Sequence, residues 1–449
     1  MQLAEYLTNL EDRVDSLRLK IAVIGLGYVG LPTAIAFYNA GFKVVGIDVS
    51  SIVIDRLKNR SSQITEEVGM EIPHGPRWEL TTEYENYIQN CDLAIVCVPT
   101  PVDEKHLPDV SAIKSALDSI IKSINNDSKT VIILESTVQP GTTRTCIQLS
   151  TDKYPESKEK ILMAYCPERV SPGEGGYGVE DVPRVIGSED ANLTRILSKL
   201  YENITSGGVI PVSSIEVAEA SKLVENAQRD IDLAFSNELA ILLPRLGLDV
   251  EEVLSAASTK WNFHRHTPGI GVGGHCIPID PHYYIEIAKR NGVTSAMSPA
   301  ARKLNSMMPA FSADEVIKLC GERPPKKVLI LGFSYKPNVS DARETPVLSL
   351  IDELLQRGVT DILVWDPHIE NPELPEQASS VSDPYHQLGV DCFIIATAHD
   401  EVKELNWKKL RESSLNPRIF DGRRCLPPKM FIDGAWTYHA IGRPWKWKN

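Results

Sequence analysis

The sequence lacks three features that would each indicate a class of protein: paired cysteines, a long apolar run and an excess of basic residues. Its 8 cysteines are scattered without a Cys-x-x-Cys pair, which excludes a zinc knuckle and predicts free thiols in a reducing compartment. No run reaches the roughly 18 apolar residues of a membrane-spanning helix. The N-terminal residues carry mixed charges and no apolar stretch of signal-peptide type. We therefore expect a cytoplasmic protein without membrane association.

Basic residues are outnumbered. Lys and Arg total 47 against 60 Asp and Glu, so the formal net charge is −13. Nucleic-acid affinity requires a basic face, so we expect no nucleic-acid partner, although a few convergent cations could bind a small anion. At about 150 residues per domain, a chain of 449 residues predicts two to four domains. No metal-ligand spacing is evident either, and we predict no metal site.

Two strand-like segments surround a glycine-rich turn near the start of the chain. Residues 20–25 form a continuous apolar run, residues 31–41 have a helical pattern, and residues 43–48 form a second apolar run. Such runs are typical of strands buried on both faces of a parallel sheet. Further runs, separated by helical patterns, occupy 92–98, 130–134 and 161–165. The alternation predicts an open, doubly wound α/β domain.

The pattern changes after about residue 210 and returns near residue 320. Residues 214–246 predict one long helix, residues 267–281 a Gly- and Pro-rich loop, and residues 283–318 further helix. Strand-like runs resume at 327–332, 362–366 and 392–396. The predicted fold class is α/β, with two Rossmann-like doubly wound domains joined by a central helical domain that contains a long helix. The predicted divisions are an N-terminal arm or short amphipathic helix (1–18), a cofactor-binding domain (19–210), a central domain (211–318) and a C-terminal domain (319–449).

The segment Gly25-Leu-Gly27-Tyr-Val-Gly30 closes the first predicted strand and opens the first helix. In that context Gly-x-Gly-x-x-Gly is a dinucleotide-binding fingerprint, whose glycines permit a tight turn, close approach of a pyrophosphate and close helix packing. Asp48 ends the next strand, where a carboxylate accepts hydrogen bonds from an adenosine ribose and repels a 2′-phosphate. The motif therefore favours NAD over NADP. A purely structural glycine turn is the alternative.

Polar side chains follow the next three predicted strands. Thr100 follows the first, Glu135 and Thr137 follow the second, and Glu168-Arg169 follows the third. Ligands of open α/β sheets bind beyond the carboxyl ends of the strands, so these side chains could line a cofactor or substrate, and Glu168 could act as an acid or base. Ordinary turn chemistry and a surface salt bridge between Glu168 and Arg169 are the alternatives.

A helix face and a glycine-rich loop carry the remaining candidates. Lys222 and Asn226 are four residues apart and share one face of the predicted long helix, which could also be an ordinary solvated face. In Gly271-Val-Gly-Gly-His-Cys276-Ile-Pro-Ile-Asp280, glycines surround a thiol that could serve as a nucleophile. The alternative is a buried cysteine in a tight turn. Lys336 and Arg343, after the first strand of the C-terminal domain, could bind phosphate or be exposed charges.

Taken in order, these motifs resemble the nucleotide-sugar 6-dehydrogenases of the UDP-glucose/GDP-mannose dehydrogenase family. The resemblance runs from about residue 19 to residue 426 and rests on GLGYVGLP, VPTP, ESTVQPGTT, CPERVSPG, KLVENAQRD, GVGGHCIPIDP and FSYKPNVSDARETP. It implies a four-electron oxidation of a sugar C6 alcohol to a carboxylate with two NAD+, a C-terminal domain that helps hold UDP, and a homodimer formed through the central helix.

The resemblance also implies roles for single residues. Cys276 matches the nucleophile that forms a thiohemiacetal and then a thioester, with Lys222 and Asn226 stabilising the oxyanion. Asp280 and Glu168 match acid–base residues, and Thr137 would position a water. The implied cofactor-binding residues are Gly25, Gly27, Tyr28, Val29, Gly30, Asp48, Thr100, Glu135, Thr137 and Arg343. The implied substrate-binding residues are Glu168, Arg169, Val170, Lys222, Asn226, Arg265, Gly273, Gly274 and Lys336, of which Arg265 would reach a neighbouring subunit.

The motifs point to more than one sugar. Gly273-Gly-His-Cys276 resembles the UDP-N-acetylhexosamine branch, in which the sequence favours UDP-GlcNAc over UDP-ManNAc, with UDP-GalNAc or UDP-glucose as further alternatives. The uronate product would enter surface polysaccharides or glycans. An ordinary two-electron dehydrogenase and a non-catalytic nucleotide-sugar binder are the competing functions. The Gly- and Pro-rich loop of residues 267–281 that contains Cys276, called the cysteine loop below, disfavours a two-electron dehydrogenase. The presence of every matched catalytic residue disfavours a non-catalytic binder.

Overall fold

The computed structural model describes residues 2–62, 64–65, 69–103, 105–124, 129–169, 180–321, 323–414, 416–432 and 436–445. The chain divides into two compact units. The first contains Met1–Glu225 and His282–Ile287, and the second contains Asn226–Pro281 and Ala288–Asn449. Among the described residues, every helix is too short or too polar to cross a lipid bilayer.

An eight-stranded sheet forms the centre of the first unit, in the order β3-β2-β1-β4-β5-β6-β7-β8. Neighbouring strands are parallel except for the antiparallel pair of β6 and β7. Because strand order reverses beside β1, the carboxyl ends of β1 and β4 form a crevice of the kind that binds ligands. The strands are β1 (Lys20–Ile24), β2 (Lys43–Ile47), β3 (Trp78–Thr81), β4 (Leu93–Val96), β5 (Thr130–Leu134), β6 (Ile161–Tyr165), β7 (Arg184–Ser188) and β8 (Val209–Pro211).

Helices and apolar side chains cover both faces of this sheet. The predicted N-terminal arm is a helix whose buried face contains Tyr6, Leu7, Leu10 and Val14, and whose Arg13 pairs with Asp92. The helices of this part are α1 (Leu3–Asp15), α2 (Gly30–Asn39), α3 (Ser51–Lys58), α4 (Glu85–Ile88), α5 (Ser111–Lys122), α6 (Thr142–Lys153) and α7 (Ala191–Glu202), with a 3-10 helix at Pro155–Lys160.

The predicted long helix is present as α8 (Ile215–Leu242). It ends four residues earlier than the pattern indicated, because Pro244 lacks an N–H and the chain continues as a 3-10 turn over Leu243–Leu246. The next helix, α9 (Val250–Ala257), begins at Asp249, whose side chain accepts a hydrogen bond from the N–H of Glu251.

The segment predicted as helical at 283–318 is two helices, α10 (Asp280–Arg290) and α11 (Met297–Leu319). Between them Gly292 has a φ of +72°, and the N–H of Val293 donates to the carbonyl of Ala288. This left-handed glycine ends α10, which the apolar periodicity did not indicate.

A six-stranded parallel sheet forms the centre of the C-terminal part, in the order β11-β10-β9-β12-β13-β14. Its strands are β9 (Lys327–Leu331), β10 (Asp361–Trp365), β11 (Ala378–Ser380), β12 (Cys392–Ile395), β13 (Arg418–Asp421) and β14 (Thr437–Ala440). The accompanying helices are α12 (Pro346–Gln356), α13 (Asp400–Lys403), α14 (Trp407–Glu412) and α15 (Lys429–Ile432), with a 3-10 helix at Pro384–His386.

The predicted fold class is confirmed: the chain has two α/β regions with mostly parallel sheets and, between them in the sequence, a helical region. All eight predicted strands are present. The strands that the sequence reading missed, β3, β7, β8, β11, β13 and β14, have three to five residues each. Three of them, β3, β8 and β11, also alternate or expose their side chains, so they lack the continuous apolar run on which the prediction rested.

Candidate functional site

The glycine turn after β1 has no room for side chains at two of its three glycines. Gly25 has a φ of +87°, and a Cβ on it would lie 2.8 Å from the carbonyl oxygen of Cys97. A Cβ on Gly30, the first residue of α2, would lie 1.8 Å from the carbonyl oxygen of Gly25. Gly27 is exposed, and a Cβ there would meet nothing within 4 Å. The turn is therefore closely packed on its inner side and open above Gly27.

Asp48 supports this turn from the end of β2. One carboxylate oxygen accepts the N–H of Leu26 at 2.9 Å, and the other accepts the N–H of Ser50 at 2.9 Å. Each carboxylate oxygen has two lone pairs, so both can accept a further bond from a ligand hydroxyl. The open glycine turn, the start of α2 and this half-buried carboxylate fit the pyrophosphate and ribose of a dinucleotide.

The other predicted positions of the first unit lie along the same edge of the sheet. Thr100, Thr137 and Glu168 follow β4, β5 and β6, which are parallel neighbours. The carbonyl oxygen of Thr100 accepts the hydroxyl of Tyr283 at 2.8 Å, while the carbonyl of Tyr283 accepts the side chain of Gln139 at 2.9 Å. Tyr283 of α10 therefore holds the loops that follow β4 and β5.

Glu135 lies in the interior rather than on the open edge. It is 2% exposed, and its carboxylate accepts the hydroxyl of Tyr201 at 2.7 Å and that of Thr33 at 3.3 Å. Burial raises the pKa of Glu135, and the nearby guanidinium of Arg184 only partly opposes this. In this structure Glu135 is a buried hydrogen-bond acceptor, and its assignment to the cofactor remains a prediction.

Glu168 pairs with a cation that the sequence reading did not single out. Nη1 of the fully buried Arg184 lies 2.7 Å from Oε2 of Glu168. The side chain of Arg169 instead binds Glu225 of α8 at 2.9 Å and the carbonyl of Pro183 at 2.9 Å. The alternative of a salt bridge between Glu168 and Arg169 is therefore wrong. Arg184 was missed because it begins β7, a strand the prediction lacked.

Val170, predicted to bind substrate, lies outside the described residues.

In the second unit the cysteine loop packs closely against the motif that follows β9. A Cβ on Gly273 would lie 2.7 Å from the carbonyl oxygen of Glu344, and one on Gly274 would lie 2.8 Å from the ring of Tyr335. The N–H of Gly274 donates to the carbonyl of Arg343 at 3.1 Å. Glycine is required here for backbone approach within the protein.

Cys276 and Asp280 occupy consecutive turns at the end of this loop. Cys276 is half-buried, and its carbonyl accepts the N–H of Asp280 at 2.8 Å. The Asp280 carboxylate, 3% exposed, accepts the side-chain amide of Asn226. Lys222 lies one turn earlier on α8 and is 8% exposed. The interpretation of this helix face as ordinary solvated surface is therefore wrong.

Two of the three remaining predicted cations, Arg343 and Arg265, form ion pairs with acidic residues near them. Arg343 forms a two-pronged ion pair with Asp341, with Nη2 2.6 Å from Oδ2. The exposed Arg265 pairs with Glu251 on α9. Lys336 contributes its carbonyl oxygen, which accepts the hydroxyl of Ser334 at 2.9 Å.

Among the described residues, one cluster has the spacing of metal ligands: His368, His399 and Glu401. Nδ1 of His399 accepts the N–H of Asn338 at 2.9 Å, which assigns the ring proton to Nε2. That nitrogen lies 3.1 Å from the Asp366 carboxylate. Because both ring nitrogens are engaged, His399 has no lone pair for a metal, and the cluster does not fit one.

Three family models match successive parts of the chain. They are the NAD-binding, central and UDP-binding domains of the UDP-glucose/GDP-mannose dehydrogenase family, over residues 19–205, 216–307 and 329–428.

Individual relatives match over most of their length. The chain is 35% identical to the UDP-N-acetyl-D-glucosamine 6-dehydrogenase of Pseudomonas aeruginosa, over 88% of this chain and 94% of that protein. It is 32% identical to the UDP-N-acetyl-D-mannosamine dehydrogenase of Pyrococcus horikoshii, over 95% and 99%. The solved structure of a UDP-D-ManNAc dehydrogenase from Pyrococcus horikoshii is similar with a TM-score of 0.82 and 30% identity, covering 95% of this chain and 99% of that one.

Proposed function

This chain belongs to the UDP-glucose/GDP-mannose dehydrogenase family and is an NAD-dependent oxidoreductase, and on that premise we propose that it oxidises the C6 alcohol of a UDP-N-acetylhexosamine to the uronate. The observation that carries the proposal is the pairing of Asn226 with Asp280 beside the glycine-rich loop of Cys276, in a chain that also has the open glycine turn with Asp48.

The proposed chemistry uses the thiol of Cys276 to hold a reactive aldehyde. Bound NAD+ would accept one hydride from C6 in each of two successive oxidations, so two NAD+ are reduced per sugar. After the first oxidation, the Cys276 sulfur adds to the aldehyde carbon and gives a thiohemiacetal. After the second, the adduct is a thioester. Water then attacks the thioester carbon, the C–S bond breaks, and the carboxylate and the thiol are released.

The polar residues around this chemistry have distinct proposed roles. The ammonium of Lys222 and the amide of Asn226 stabilise negative charge on the sugar oxygen. Asp280 and Glu168 exchange protons with water and the leaving thiol, and Thr137 positions the water. The ion pair with Arg184 keeps Glu168 in one orientation, and the bond to Asn226 does the same for Asp280.

Within this substrate class we propose UDP-GlcNAc first and UDP-ManNAc second. The support comes from the relatives, since proteins named for both sugars match at similar identity, 35% and 32%. The C-terminal domain, 319–449, would hold the UDP moiety. The uronate would be made in the cytoplasm for a polysaccharide or glycan.

We also propose a homodimer formed through the central domain, 211–318. Val217, Val224, Phe235 and Leu242 of α8 are 45%, 55%, 54% and 47% exposed. Their spacings of seven, eleven and seven residues put them on one line along the helix. Exposed apolar side chains aligned in this way are typical of an interface between subunits.

The experiment that tests the function is NADH formation at limiting sugar with UDP-GlcNAc, UDP-ManNAc, UDP-GalNAc and UDP-glucose, run to completion. We expect two NADH per UDP-GlcNAc and loss of the second oxidation in Cys276→Ser. Cys425→Ser, another half-buried thiol, is the matched control and should still give two. If only UDP-ManNAc gives two NADH, the proposed mechanism stands and the substrate is UDP-ManNAc instead of UDP-GlcNAc. One NADH per sugar, or full yield from Cys276→Ser, would rule out the covalent mechanism.

A further inference from the structure

A set of four buried polar side chains connects two helices behind the cysteine loop. Asp230 and Asn237 lie on α8, and Arg302 and Asn305 lie on α11. Their exposed fractions are 0%, 2%, 8% and 2%. Burial of this many polar groups is costly unless their hydrogen bonds are satisfied, so such a set is retained where it determines a particular geometry.

The hydrogen bonds form one continuous chain. The guanidinium of Arg302 binds both carboxylate oxygens of Asp230, with Nε 2.7 Å from Oδ2. The amide of Asn305 donates to Oδ1 of Asp230 at 2.7 Å, and its oxygen accepts the amide of Asn237 at 2.9 Å.

The two ends of this chain contact the backbone of the cysteine loop. The oxygen of Asn237 accepts the N–H of Gly269 at 3.0 Å. At the other end, Nη1 of Arg302 donates to the carbonyl of Pro278 at 3.4 Å. Cys276 lies between these two attachment points, two residues before Pro278.

We propose that Asp230, Asn237, Arg302 and Asn305 form a polar clamp that positions Cys276 for attack on the aldehyde. The four are positioning residues, because their contacts are to the loop backbone and to one another. The proposal rests on the covalent mechanism proposed above, and it adds that the clamp determines how an aldehyde partitions between capture by the thiol and release. A loop freed at one end would place sulfur less accurately, and a misplacement of about 1 Å can cost about 100-fold in rate.

Two variants test the clamp. Arg302→Lys keeps a cation beside Asp230 but loses the hydrogen bond from the guanidinium to the carbonyl of Pro278. Asn237→Leu removes the oxygen that accepts the N–H of Gly269. The matched control is Arg424→Lys. Arg424 likewise pairs with a buried aspartate, Asp249 at 2.6 Å, and its other contact is to the backbone carbonyl of Ile441 at 2.9 Å.

Turnover is run with hydroxylamine, which traps released aldehyde as an oxime, and NADH and oxime are counted per sugar consumed. We expect wild type and Arg424→Lys to give two NADH and little oxime. In Arg302→Lys and Asn237→Leu we expect a tenfold or greater rise in the oxime fraction and an NADH yield below two. A variant that is only less stable would turn over more slowly but would still give two NADH per sugar consumed.

A second measurement needs no turnover: the rate at which iodoacetamide alkylates Cys276, located by peptide mass spectrometry. We expect a rise of about threefold or more in both clamp variants, since a freed loop exposes its thiol more often. Wild-type oxime levels and an unchanged alkylation rate in either folded clamp variant would overturn the clamp. If wild type itself gives one NADH per sugar, the covalent mechanism fails, and the alkylation rates still decide whether the clamp positions Cys276.

Discussion

The two parallel sheets each have an aspartate at the end of the strand that follows a glycine turn, and the two aspartates differ in what surrounds them. Asp48 follows β2 and accepts one backbone N–H of the turn after β1, while Asp366 follows β10 and accepts two backbone N–H groups of the turn after β9. Asp48 is half-buried, whereas Asp366 is 8% exposed and lies 3.1 Å from Nε2 of the buried His399. One carboxylate remains open to a ligand, and the other is used within the protein.

The turns after β1 and β9 differ in the same way: the first is open to solvent and the second is buried. Gly25 and Gly332 both have a positive φ, +87° and +92°, so both turns begin alike. Two residues later the first turn has the exposed Gly27 and the second has Ser334, which is fully buried and bonded to Lys336 and His399. The two sheets therefore share strand order and turn shape, and what distinguishes the first turn is the open surface above Gly27.

The largest expected effect comes from copying the second turn into the first with Gly27→Ser. The new side chain would occupy the open face of the turn, so we expect the Kd for NAD to rise by about 100-fold, roughly 2.7 kcal/mol. Folding should be unchanged, because a Cβ at this position meets nothing within 4 Å. Calorimetric titration with NAD and a thermal melt of the same protein measure both. An NAD affinity equal to that of wild type would show that the open turn is not the cofactor site.

The next effect separates the two aspartates with matched substitutions. Asp48→Asn removes the charge that strengthens a bond to a ribose hydroxyl, so we expect about a 20-fold weaker Kd for NAD, within the usual range for a charge-assisted hydrogen bond. Asp366→Asn should leave that Kd unchanged and lower the free energy of unfolding by about 2 kcal/mol, because its carboxylate binds two backbone N–H groups and His399 inside the protein. If Asp366→Asn weakens NAD binding while Asp48→Asn does not, Asp366 and not Asp48 lies at the NAD site.

Much of this architecture could be predicted because it depends on local signals. Continuous apolar runs located β1, β4 and β9, and the glycine spacing located the open turn. The break after α10 was missed because one left-handed residue, Gly292, ends a helix without disturbing its periodicity. The edge strands β3, β8, β11 and β14 were missed because pairing to a neighbouring strand, and not their own pattern, makes them strands.

The candidate site was predictable only in part, for a related reason. Motifs indicate residues that are close in sequence, such as Cys276 and Asp280. The partners of Glu168 and Asp230 lie 16 and 72 residues away, at Arg184 and Arg302, so no local spacing connects them. A buried cation has no sequence signature of its own, because Arg184 and Arg302 look like any surface arginine until their burial is known.

The smallest expected effect is the pH dependence of the stability that the buried Asp366 contributes. Burial acts to raise the pKa of Asp366, but His399 and the N–H groups of Phe333 and Ser334 outweigh it and lower the pKa to about 2. A carboxyl whose pKa is lower in the folded state stabilises the fold above its unfolded pKa of about 3.9, and this stabilisation is lost as the pH falls towards 2. The difference in free energy of unfolding between wild type and Asp366→Asn should therefore be constant at pH 5 to 7. At pH 3 it should shrink by roughly half, about 1 kcal/mol. Urea unfolding of the two proteins at each pH measures the difference. The variant Asp366→Asn serves as the reference for wild type because it has no carboxyl group at this position. A difference that stays the same down to pH 3 would mean that His399 and the turn do not hold Asp366 in its ionised form.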